Sequence, residues 1–546
     1  MQKIVTGEEM REIDRLTTER YGIPPLLLME NAANAASRVI VEKLGGSVDG
    51  RSVLILCGKG NNGGDGAALG RILWQQGADV EVCLFGLASD TKDEARVNFD
   101  ILKSISDDEG FELTQSDLAF TEITSLEEWL DYDSLNFHSD DPDVIVDALV
   151  GTGLTGPLDG VFEQAAAFIN AFCDEHCESG TLVVSLDVPS GLNADSCERL
   201  GANPSSHVTI TFTAPKLANV MPPASNCNGE LHVANIGSPC NLINDTGSQT
   251  YLAESEDVGR WLVQTRFTSD SYKNKRGHAL LIAGAANYSG AAVLCGNSAI
   301  RSGAGIVTIA TPESSRAALI ARVAPEVMVR GVAETEGGAV AETAFDEIRE
   351  FSENVDVIAI GSGLSSTDES TRALVRRVVE ERTTPVIIDA DGLNALAPFR
   401  LSGSPELPLI LTPHAGEFQR LTGSNGDMDL TDRVGAARGF AEKHSVILVL
   451  KGERVVVAEP GGRVVINPTG NSGLGKAGNG DTMTGIIAGF VAQGLCVKAD
   501  IFDTVVAAVY VAGLAGDIAE KKFGKRVMTA SDTADALAEC FRGFDG

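Results

Sequence analysis

The stretch Gly58-Lys59-Gly60-Asn61-Asn62-Gly63-Gly64-Asp65-Gly66 follows the apolar run Ser52 to Cys57 and precedes a helical pattern from Ala67 to Gln76. A glycine-rich turn between a strand and a helix directs backbone N–H groups toward one point, where they can hold a phosphate. A second stretch of this kind runs from Gly470 to Asp481, near the other end of the chain. Two such loops predict two nucleotide sites on two different domains.

The first half of the chain alternates short apolar runs with helical patterns. Such alternation is typical of a parallel sheet that helices cover on both faces. We therefore predict an α/β fold in which the N-terminal domain is a Rossmann-like doubly wound sheet. Its predicted strands are Ser52 to Cys57, Val80 to Phe85, Val144 to Leu149, Leu182 to Val188 and Val208 to Phe212.

The second half restarts the alternation after a polar, turn-rich stretch. With 546 residues, the chain is too long for one hydrophobic core. We predict a first domain at 1–240, a linker at 241–257 and a second α/β domain at 258–546. The predicted strands of the second domain are Ala279 to Ala283, Ile306 to Ala310, Val355 to Ile360, Val386 to Asp389, Leu409 to Leu411 and Val446 to Leu450, with a hairpin around Glu459 to Gly462.

The overall charge excludes several classes of partner. The formal net charge is -33, whereas nucleic acids and anionic membranes need clustered positive charge on the protein. No signal-peptide core or uninterrupted apolar run of about 18 residues is evident. The ten cysteines are scattered, which is typical of reduced intracellular thiols. We expect a cytoplasmic protein that binds neither nucleic acid nor membrane, and we expect a homo-oligomer.

The first glycine-rich loop does not fit a conventional dehydrogenase. Such an enzyme carries an acid at the end of the next strand to hold a ribose, but here that strand ends Leu84-Phe85-Gly86. Asp65 also occupies the place where a pyrophosphate would lie against the helix, although it could simply cap that helix. A standard hydride-transfer site is therefore not expected.

Acidic residues follow two later predicted strands of the same domain. Asp147 and Asp187 each end a strand, and Ser190 follows three residues after Asp187. Because ligands of open α/β sheets bind along the carboxyl edge, we expect Asn62, Asp147, Asp187 and Ser190 to converge on one crevice. Each residue alone is also typical of caps and turns, but three glycine-flanked examples favour a site.

These motifs resemble the NAD(P)H-hydrate epimerase domain over roughly residues 1–240. The resemblance rests on Gly58 to Gly66, Val146 to Gly160, Leu186 to Asp195 and Thr213-Ala214-Pro215-Lys216. It implies that the hydrated nucleotide contacts Asn61, Asn62, Gly63, Gly64, Asp65, Gly151, Thr152, Gly153, Leu154, Thr155, Gly156, Pro157 and Asp187.

The same resemblance implies a potassium ion and a catalytic acid. Asn62, Asp147 and Ser190 are the implied potassium ligands, and oxygen ligands are those that a hard cation prefers. Asp187 is the expected proton-transfer residue, because epimerisation at a hydroxylated ring carbon needs a positioned acid or base.

The second glycine-rich loop predicts phosphoryl transfer. Gly478 and Gly480 allow the backbone to approach a phosphate, and Asp481 lies beside the donors at the helix start. An acid in this position can take the proton of a hydroxyl group while the N–H groups hold the moving phosphoryl group. A helix cap after a flexible loop is the alternative, but it does not explain so many glycines.

This loop resembles the ribokinase-like superfamily, and further motifs narrow the resemblance to the ADP- or ATP-dependent NAD(P)H-hydrate dehydratase over roughly residues 260–546. The usual proline of one glycine motif is replaced by Ser362, which loosens the loop slightly and removes no functional group. The supporting motifs are Gly284 to Ala292, Arg301 to Gly305, Gly361 to Leu364, Asp389 to Leu396, Thr412 to Phe418 and Lys451-Gly452.

The resemblance implies a role for each matched residue of the second site. Asp481 is the implied catalytic base; Ala291, Gly363 and His414 line the hydrate pocket together with it. His414 alone would more often be structural, but its Thr-Pro-His-Ala-Gly-Glu setting favours a substrate contact. A Mg²⁺ ion would bridge the phosphates of the co-substrate, ADP or ATP. The implied nucleotide-binding residues are Lys451, Gly452, Glu453, Arg454, Val455 and Gly480.

Together the halves predict one repair pathway for hydrated NADH and NADPH. The dehydratase family accepts the S epimer of the hydrate, and an epimerase on the same chain would supply it from the R epimer. Two alternatives remain open at this point. The second domain could be a small-molecule kinase regulated by the first, or the first could be a nucleotide-sensing or protein-binding module without activity.

Overall fold

The computed structural model describes residues 1–107, 116–136, 141–154, 156–173, 180–424 and 431–544. These residues form two compact units. The N-terminal unit comprises Lys3–Ser248, and the C-terminal unit comprises Met1–Gln2 with Gln249–Gly546. The first strand of the chain is the short β1 (Gln2–Lys3).

The N-terminal unit contains a seven-stranded sheet in the order β4-β3-β2-β5-β6-β7-β8, and every neighbouring pair is parallel. The order reverses between β2 and β5, and a ligand crevice is expected at the carboxyl ends of such strands. The strands are β2 (Ser52–Cys57), β3 (Asp79–Phe85), β4 (Leu118–Ile123), β5 (Val144–Ala148), β6 (Leu182–Leu186), β7 (Val208–Phe212) and β8 (Glu230–Ala234).

Helices cover both faces of this sheet, which confirms the predicted doubly wound fold. Ile55 and Val146 face a core shared with α2, α3 and α4, whereas Leu54 and Ile145 face a core shared with α6. The helices of the unit are α1 (Gly7–Tyr21), α2 (Pro25–Lys43), α3 (Asn61–Gln75), α4 (Asp93–Ser106), α5 (Leu126–Asn136), α6 (Gly160–Cys173), α7 (Leu217–Val220) and α8 (Cys240–Asn244).

The C-terminal unit contains an eleven-stranded sheet in the order β1-β9-β18-β17-β16-β15-β14-β13-β10-β11-β12. The pairs from β12 to β16 are parallel, and the predicted hairpin is confirmed as the antiparallel pair β17–β18. Its further strands are β9 (Thr250–Leu252), β10 (His278–Ile282), β11 (Ile306–Pro312), β12 (Val327–Val332), β13 (Val357–Ile360), β14 (Val386–Ile388), β15 (Leu409–Leu411), β16 (Ile447–Leu450), β17 (Val456–Ala458) and β18 (Val464–Ile466).

Helices pack around this second sheet and confirm the predicted α/β class. They are α9 (Ser255–Gln264), α10 (Ser289–Arg301), α11 (Glu313–Ile320), α12 (Phe345–Ser352), α13 (Glu369–Glu380), α14 (Ala390–Ala395), α15 (Ala415–Thr422), α16 (Arg433–His444), α17 (Asn479–Val497), α18 (Ile501–Phe523) and α19 (Ala530–Arg542).

Helices α17 and α18 are long and apolar enough to cross a membrane by length and composition alone. In both, however, 67% of the most apolar window is buried inside the unit. Phe490 of α17, for example, stacks on Trp261 of α9 with 4.0 Å between ring centroids. Burial of this kind is expected of core helices, which are apolar all round.

The chain divides into its two units inside the predicted linker. The division at Ser248 and Gln249 lies within the stretch 241–257 that was predicted as a linker. That stretch is nevertheless structured, since it contains most of α8, all of β9 and the start of α9. Its polar composition indicated the change of unit, but β9 pairs with β18 and is part of the second sheet.

Candidate active sites

The first glycine-rich loop joins β2 directly to α3. Gly60 is the N-cap residue, so the helix begins at Asn61 rather than at the predicted Ala67. A Cβ atom at Gly58 would lie 1.9 Å from the carbonyl oxygen of Leu149, and one at Gly63 would lie 1.8 Å from that of Gly58. Only glycine allows the ends of β2 and β5 to approach the helix this closely.

Three predicted potassium ligands lie together at these strand ends. Asp147 and Ser190 are fully buried, and Ser190 donates from its hydroxyl to Asp147 Oδ1 over 2.5 Å and from its backbone N–H to Oδ2 over 2.9 Å. Asn62 is 8% exposed, and both polar atoms of its amide are buried without a hydrogen-bond partner. A Cβ at Gly151 would lie 3.5 Å from Asn62 Oδ1.

The donor set fits a hard monovalent cation. Burial raises the pKa of Asp147, against the lowering effect of hydrogen bonds from Ser190, Ser185 and Leu149. No described basic side chain forms an ion pair with Asp147. A buried carboxylate without a cationic partner, beside an unpartnered amide oxygen, offers the oxygen ligands that potassium needs. Over the described residues, no group of three or more His, Cys, Asp or Glu side chains could hold a metal ion.

Among the described residues of the loop after β5, a contact with this cluster is seen at its beginning. Gly151 adjoins Asn62, whereas a Cβ at Gly153 or Gly156 would meet open space. Leu154 is partly buried, and Thr155 lies outside the described residues. The structure therefore places Gly151, a predicted nucleotide contact, beside the predicted potassium ligand Asn62. The further positions of this loop are Thr152, whose carbonyl oxygen would lie 3.4 Å from a Cβ at Gly7, and Pro157, which packs near Gly201.

Asp187 forms an ion pair with a buried lysine. It follows β6 with a left-handed backbone (φ 65°), and its Oδ1 accepts from Lys216 Nζ over 2.5 Å and from the Thr211 hydroxyl over 3.1 Å. The side chain of Lys216 is 1% exposed, and its ammonium group also donates to Thr211 and to the Phe212 carbonyl. The lysine therefore fixes the carboxylate in place.

Two further acids, Asp65 and Asp14, lie close enough to this pair for its charges to affect their pKa values. Burial, followed by the negative charges of Asp187 and Asp14, raises the pKa of Asp65 well above its usual range. Burial also raises the pKa of Asp14 to about 6. Asp65 is the fifth residue of α3, so the interpretation of Asp65 as a helix cap is wrong. The sequence offered no signal for Asp14, because it lies in an ordinary amphipathic helix, α1.

The second glycine-rich loop leads into α17. Gly478 is the N-cap residue, with φ 94°, and Asp481 is the third residue of the helix. The alternative in which Asp481 only caps the helix is therefore also wrong. Burial raises the pKa of Asp481 to about 6, and the negative charge of Asp389 adds to this effect. A carboxylate with this pKa is a suitable base near neutral pH.

A buried network stands beside the start of α17. Lys451 Nζ donates to Asp389 Oδ1 over 2.8 Å and lies 3.9 Å from Glu417 Oε2. Burial lowers the pKa of Lys451, but Asp389 and Glu417 outweigh burial and raise it overall. A Cβ at Gly480 would lie 3.6 Å from Lys451 Nζ. The predicted nucleotide-binding residues Lys451 and Gly480 are thus neighbours, beside a charged Asp389 that was not predicted as a site residue.

The remaining residues of the predicted nucleotide segment form the connection between β16 and β17. Gly452 and Glu453 are exposed, and Val455 accepts a backbone hydrogen bond from Asn467 over 2.9 Å. The Arg454 guanidinium donates to the carbonyl oxygen of Pro468, which lies just before the second glycine-rich loop. The Arg454 side chain is therefore hydrogen-bonded to a backbone carbonyl group.

Two predicted hydrate-pocket residues are in contact. Gly363 has φ 58°, and a Cβ there would lie 2.8 Å from the Cβ of Ala291. Ser362 is 3% exposed, and the proximity of its hydroxyl lowers the pKa of Asp481, although the hydroxyl has no hydrogen-bond partner among the described residues. The expectation that Ser362 only loosens its loop is therefore incomplete, because the residue places a hydroxyl beside the predicted base.

His414 has a structural role in the described arrangement. It is the N-cap of α15, and its Nδ1 accepts from the Gly416 N–H over 3.0 Å. Its Nε2 lies 3.5 Å from Glu417 Oε1, and the side chain is 57% exposed. Capping accounts for one ring nitrogen, and contact with substrate stays a prediction.

Comparison with known proteins matches both units. The family model for the N-terminus of YjeF-related proteins covers residues 26–218, and that for NAD(P)H-hydrate dehydratase covers 279–539. The bifunctional NAD(P)H-hydrate repair enzyme Nnr of Moorella thermoacetica is 37% identical over 99% of this chain and 97% of its own length. That of Thermofilum pendens is 36% identical over 99% and 96%.

Solved structures match about half of the chain. An ADP/ATP-dependent NAD(P)H-hydrate dehydratase from Bacillus subtilis, co-crystallised with ATP/Mg²⁺, is 33% identical and covers 54% of this chain and 98% of its own, with a TM-score of 0.46. A ribokinase-like superfamily protein from Enterococcus faecalis is 27% identical and covers 55% and 98%, also with a TM-score of 0.46. On the full-length matches and both family models, the chain belongs to the family of bifunctional NAD(P)H-hydrate repair enzymes.

Proposed function

We propose that this chain repairs hydrated NADH and NADPH in two reactions, each performed by one unit. The N-terminal unit interconverts the R and S epimers of the hydrate. The C-terminal unit converts the S hydrate to NAD(P)H at the expense of ADP or ATP, releasing AMP or ADP and phosphate. The observation that supports this most directly is Asp481 in the first turn of α17, with the Lys451 ammonium beside Gly480.

In the dehydratase reaction, Asp481 takes the proton of the ring hydroxyl while the hydroxyl oxygen attacks the terminal phosphorus of the nucleotide. The bond from phosphorus to the departing nucleotide breaks, and the Lys451 ammonium and the N–H groups at the start of α17 hold the transferred charge. Phosphate then leaves the ring carbon, and the adjacent carbon loses a proton to the departing phosphate, which restores the ring double bond. Ala291 and Gly363 provide the proposed surface for the hydrate ring.

In the epimerase reaction, the acid cluster of the N-terminal unit moves protons at the hydroxylated ring carbon. Asp187, held by Lys216, is the proposed acid or base, and Asp65 is close enough for its own pKa to respond to the charge of Asp187. Two carboxyl groups in different environments can divide acid and base roles between them. Gly151 to Pro157 and Asn61 to Gly64 would contact the nucleotide.

Two cations are proposed for these sites. Asn62, Asp147 and Ser190 would hold potassium, whose charge would compensate the buried Asp147 carboxylate and help to orient the bound hydrate. Mg²⁺ would arrive on the phosphates of the nucleotide and shield their charge during transfer. We expect the enzyme to work in the cytoplasm as a homo-oligomer, which light scattering of the purified protein would test.

One assay distinguishes the proposed bifunctional enzyme from a dehydratase without epimerase activity and from a kinase. Purified protein is mixed with both epimers of NADH hydrate and ADP, and the return of reduced-nicotinamide absorbance is followed together with phosphate release. The proposal predicts consumption of both epimers. Consumption of the S epimer alone would exclude epimerase activity, and accumulation of a phosphorylated hydrate without phosphate release would indicate a kinase.

A further inference from the structure

Asp389 occupies a helix N-cap position without capping the helix. It directly follows β14 and precedes α14, yet its side chain accepts no hydrogen bond from the first turn of that helix. Aspartate is favoured at this position because its carboxylate normally accepts such a bond. Asp389 is also 1% exposed, so its charge must be satisfied elsewhere.

All of its partners lie on other elements around the second glycine-rich loop. Oδ1 accepts from the Thr412 hydroxyl over 2.7 Å and from Lys451 Nζ over 2.8 Å, and Oδ2 accepts from the Thr484 hydroxyl over 2.9 Å. Thr412 follows β15, Lys451 follows β16 and Thr484 lies in α17. One carboxylate thus connects three strand ends to the helix that carries Asp481.

The backbone around Asp389 is closely constrained. A Cβ at Gly361 would lie 1.9 Å from the Asp389 carbonyl oxygen, so only glycine allows this approach of β13 to β14. Ala390 adopts a left-handed conformation with φ 46°. Such a conformation is unfavourable for a residue with a Cβ and persists only where its surroundings enforce it.

We propose that Asp389 is a positioning residue of the dehydratase site: its carboxylate fixes the Lys451 ammonium and helix α17 to the sheet edge, so that the ammonium, the Gly480 backbone and Asp481 face one phosphoryl group. This inference rests on the proposed dehydratase function. Asp389 acts through Lys451 and Thr484, without touching the nucleotide.

The charge of Asp389 gives this role a measurable signature at Asp481. After burial, Asp389 is the strongest influence that raises the pKa of Asp481, and Asp391 raises it less. The Ser362 hydroxyl and the Lys451 ammonium lower it. Glu417 faces Lys451, and the Cys295 thiol stays uncharged because burial raises its pKa.

The test compares the pH dependence of kcat for ADP-dependent dehydration in two variants. In Asp389→Asn, loss of a nearby like charge moves the half-maximal point of the acidic limb to lower pH, by about one unit or a tenfold change in proton concentration. In Lys451→Gln, loss of the cation moves it to higher pH. A merely structural role for the pair would lower kcat in both variants and leave the half-maximal point unchanged.

Two further variants distinguish the effect of the hydrogen bond between Thr484 and Asp389 from the effect of the Asp389 charge. Thr484→Val removes the link to α17 but no charge, so kcat falls about tenfold while the pH midpoint stays constant. Asp391→Asn is the matched control, since Asp391 bonds only to Ser365 and Ser366 among its recorded partners. Because Asp391 raises the pKa of Asp481 less than Asp389 does, the pH midpoint of Asp391→Asn should move less than that of Asp389→Asn, while its affinity for ADP stays within about twofold of the wild type.

Binding of ADP to the full chain can be measured by calorimetry in the absence of hydrate. This measurement tests the inference independently of catalytic turnover. Asp389→Asn should bind ADP about tenfold more weakly, because the Lys451 ammonium loses its anchor. Wild-type protein that does not dehydrate the hydrate would refute the proposed function, whereas calorimetry would still test the inference. The inference is overturned if Asp389→Asn leaves both the pH midpoint of kcat and the affinity for ADP unchanged. If that variant does not fold, an unchanged midpoint in Lys451→Gln together with unchanged kcat in Thr484→Val overturns it.

Discussion

The ion pair between Lys216 and Asp187 makes a quantitative prediction for the epimerase site. The side chains are 1% and 13% exposed and 2.5 Å apart, so neither charge has access to much water. Removing one partner of a buried pair leaves the other charge uncompensated and typically costs about 3–5 kcal/mol. Lys216→Met should therefore lower the free energy of unfolding of the N-terminal unit by about this amount.

A double-mutant cycle distinguishes the interaction energy of this ion pair from other destabilising effects of the two substitutions. Asp187→Asn keeps the shape and tolerates the left-handed backbone at this position, because asparagine is among the residues that adopt it most readily. Each single variant leaves one buried charge, but the double variant leaves none. The double variant should therefore be about as stable as either single variant, which corresponds to a coupling energy of about 3–5 kcal/mol, equal to the cost of one single substitution.

The assay is urea unfolding followed by tryptophan fluorescence in a Trp261→Phe background. The chain has three tryptophans, and Trp74 and Trp129 both lie in the N-terminal unit, so the signal then reports that unit alone. Epimerisation should fall in Lys216→Met while ADP-dependent dehydration of the S hydrate persists. The reasoning would be refuted if the loss of unfolding free energy in the double variant equalled the sum of the two single-variant losses to within about 0.5 kcal/mol.

Three further predictions concern the two reactions. Asp481→Asn should slow dehydration by about 10²–10⁴-fold while chromatography of the epimers still shows R-to-S exchange; equal loss of both activities would contradict it. The rate of dehydration should rise with pH through about 6, because the raised pKa of Asp481 keeps the base protonated below that value. Ser362→Ala should move this midpoint to higher pH, and a fall would contradict the proposed contact. Replacing K⁺ with tetramethylammonium should slow epimerisation but not dehydration. Asn62→Ala should remove the K⁺ dependence of the epimerisation rate. If Asn62→Ala still responds to K⁺, Asn62 is not a potassium ligand.

The strands of both sheets could be predicted well where they are buried on both faces. Ser52–Cys57, Val208–Phe212 and Leu409–Leu411 have the predicted bounds, because a continuous apolar run between polar turns has few other places in an α/β fold. Strands β4 and β8 were not predicted. They lie at the two edges of their sheet, and residues of both are largely half-buried, so their hydrophobic signal is weak.

The chemistry of the sites was only partly predictable. Asp187, Asp147 and Asp481 could be proposed from the sequence because each follows a strand or lies in a glycine-rich loop. Lys216 was quoted only as part of a motif, and Asp14 gave no signal. Their roles depend on contacts between residues distant in the chain, such as the 29-residue separation of Lys216 from Asp187. Periodicity and turn chemistry carry no information about such contacts.

The two sites share an electrostatic arrangement although their sheets and loops differ. In each, a carboxyl group in the first turns of a helix, Asp65 or Asp481, has a pKa raised first by burial and then by an acid at a strand end. That strand-end acid, Asp187 or Asp389, is bound by a lysine ammonium from a later part of the chain.

In each cluster the lysine ammonium pairs with the strand-end acid, and that acid in turn raises the pKa of the helix acid. A helix N-terminus normally favours a charged carboxylate, and the neighbouring anion opposes this preference. Asp481, whose pKa is raised to about 6, can exchange its proton near neutral pH, and the pKa of Asp65 is likewise raised above its usual range. Each glycine-rich loop thus places a proton-exchanging carboxyl group beside backbone donors, which is the combination that chemistry at a hydroxyl group of a phosphorylated substrate requires.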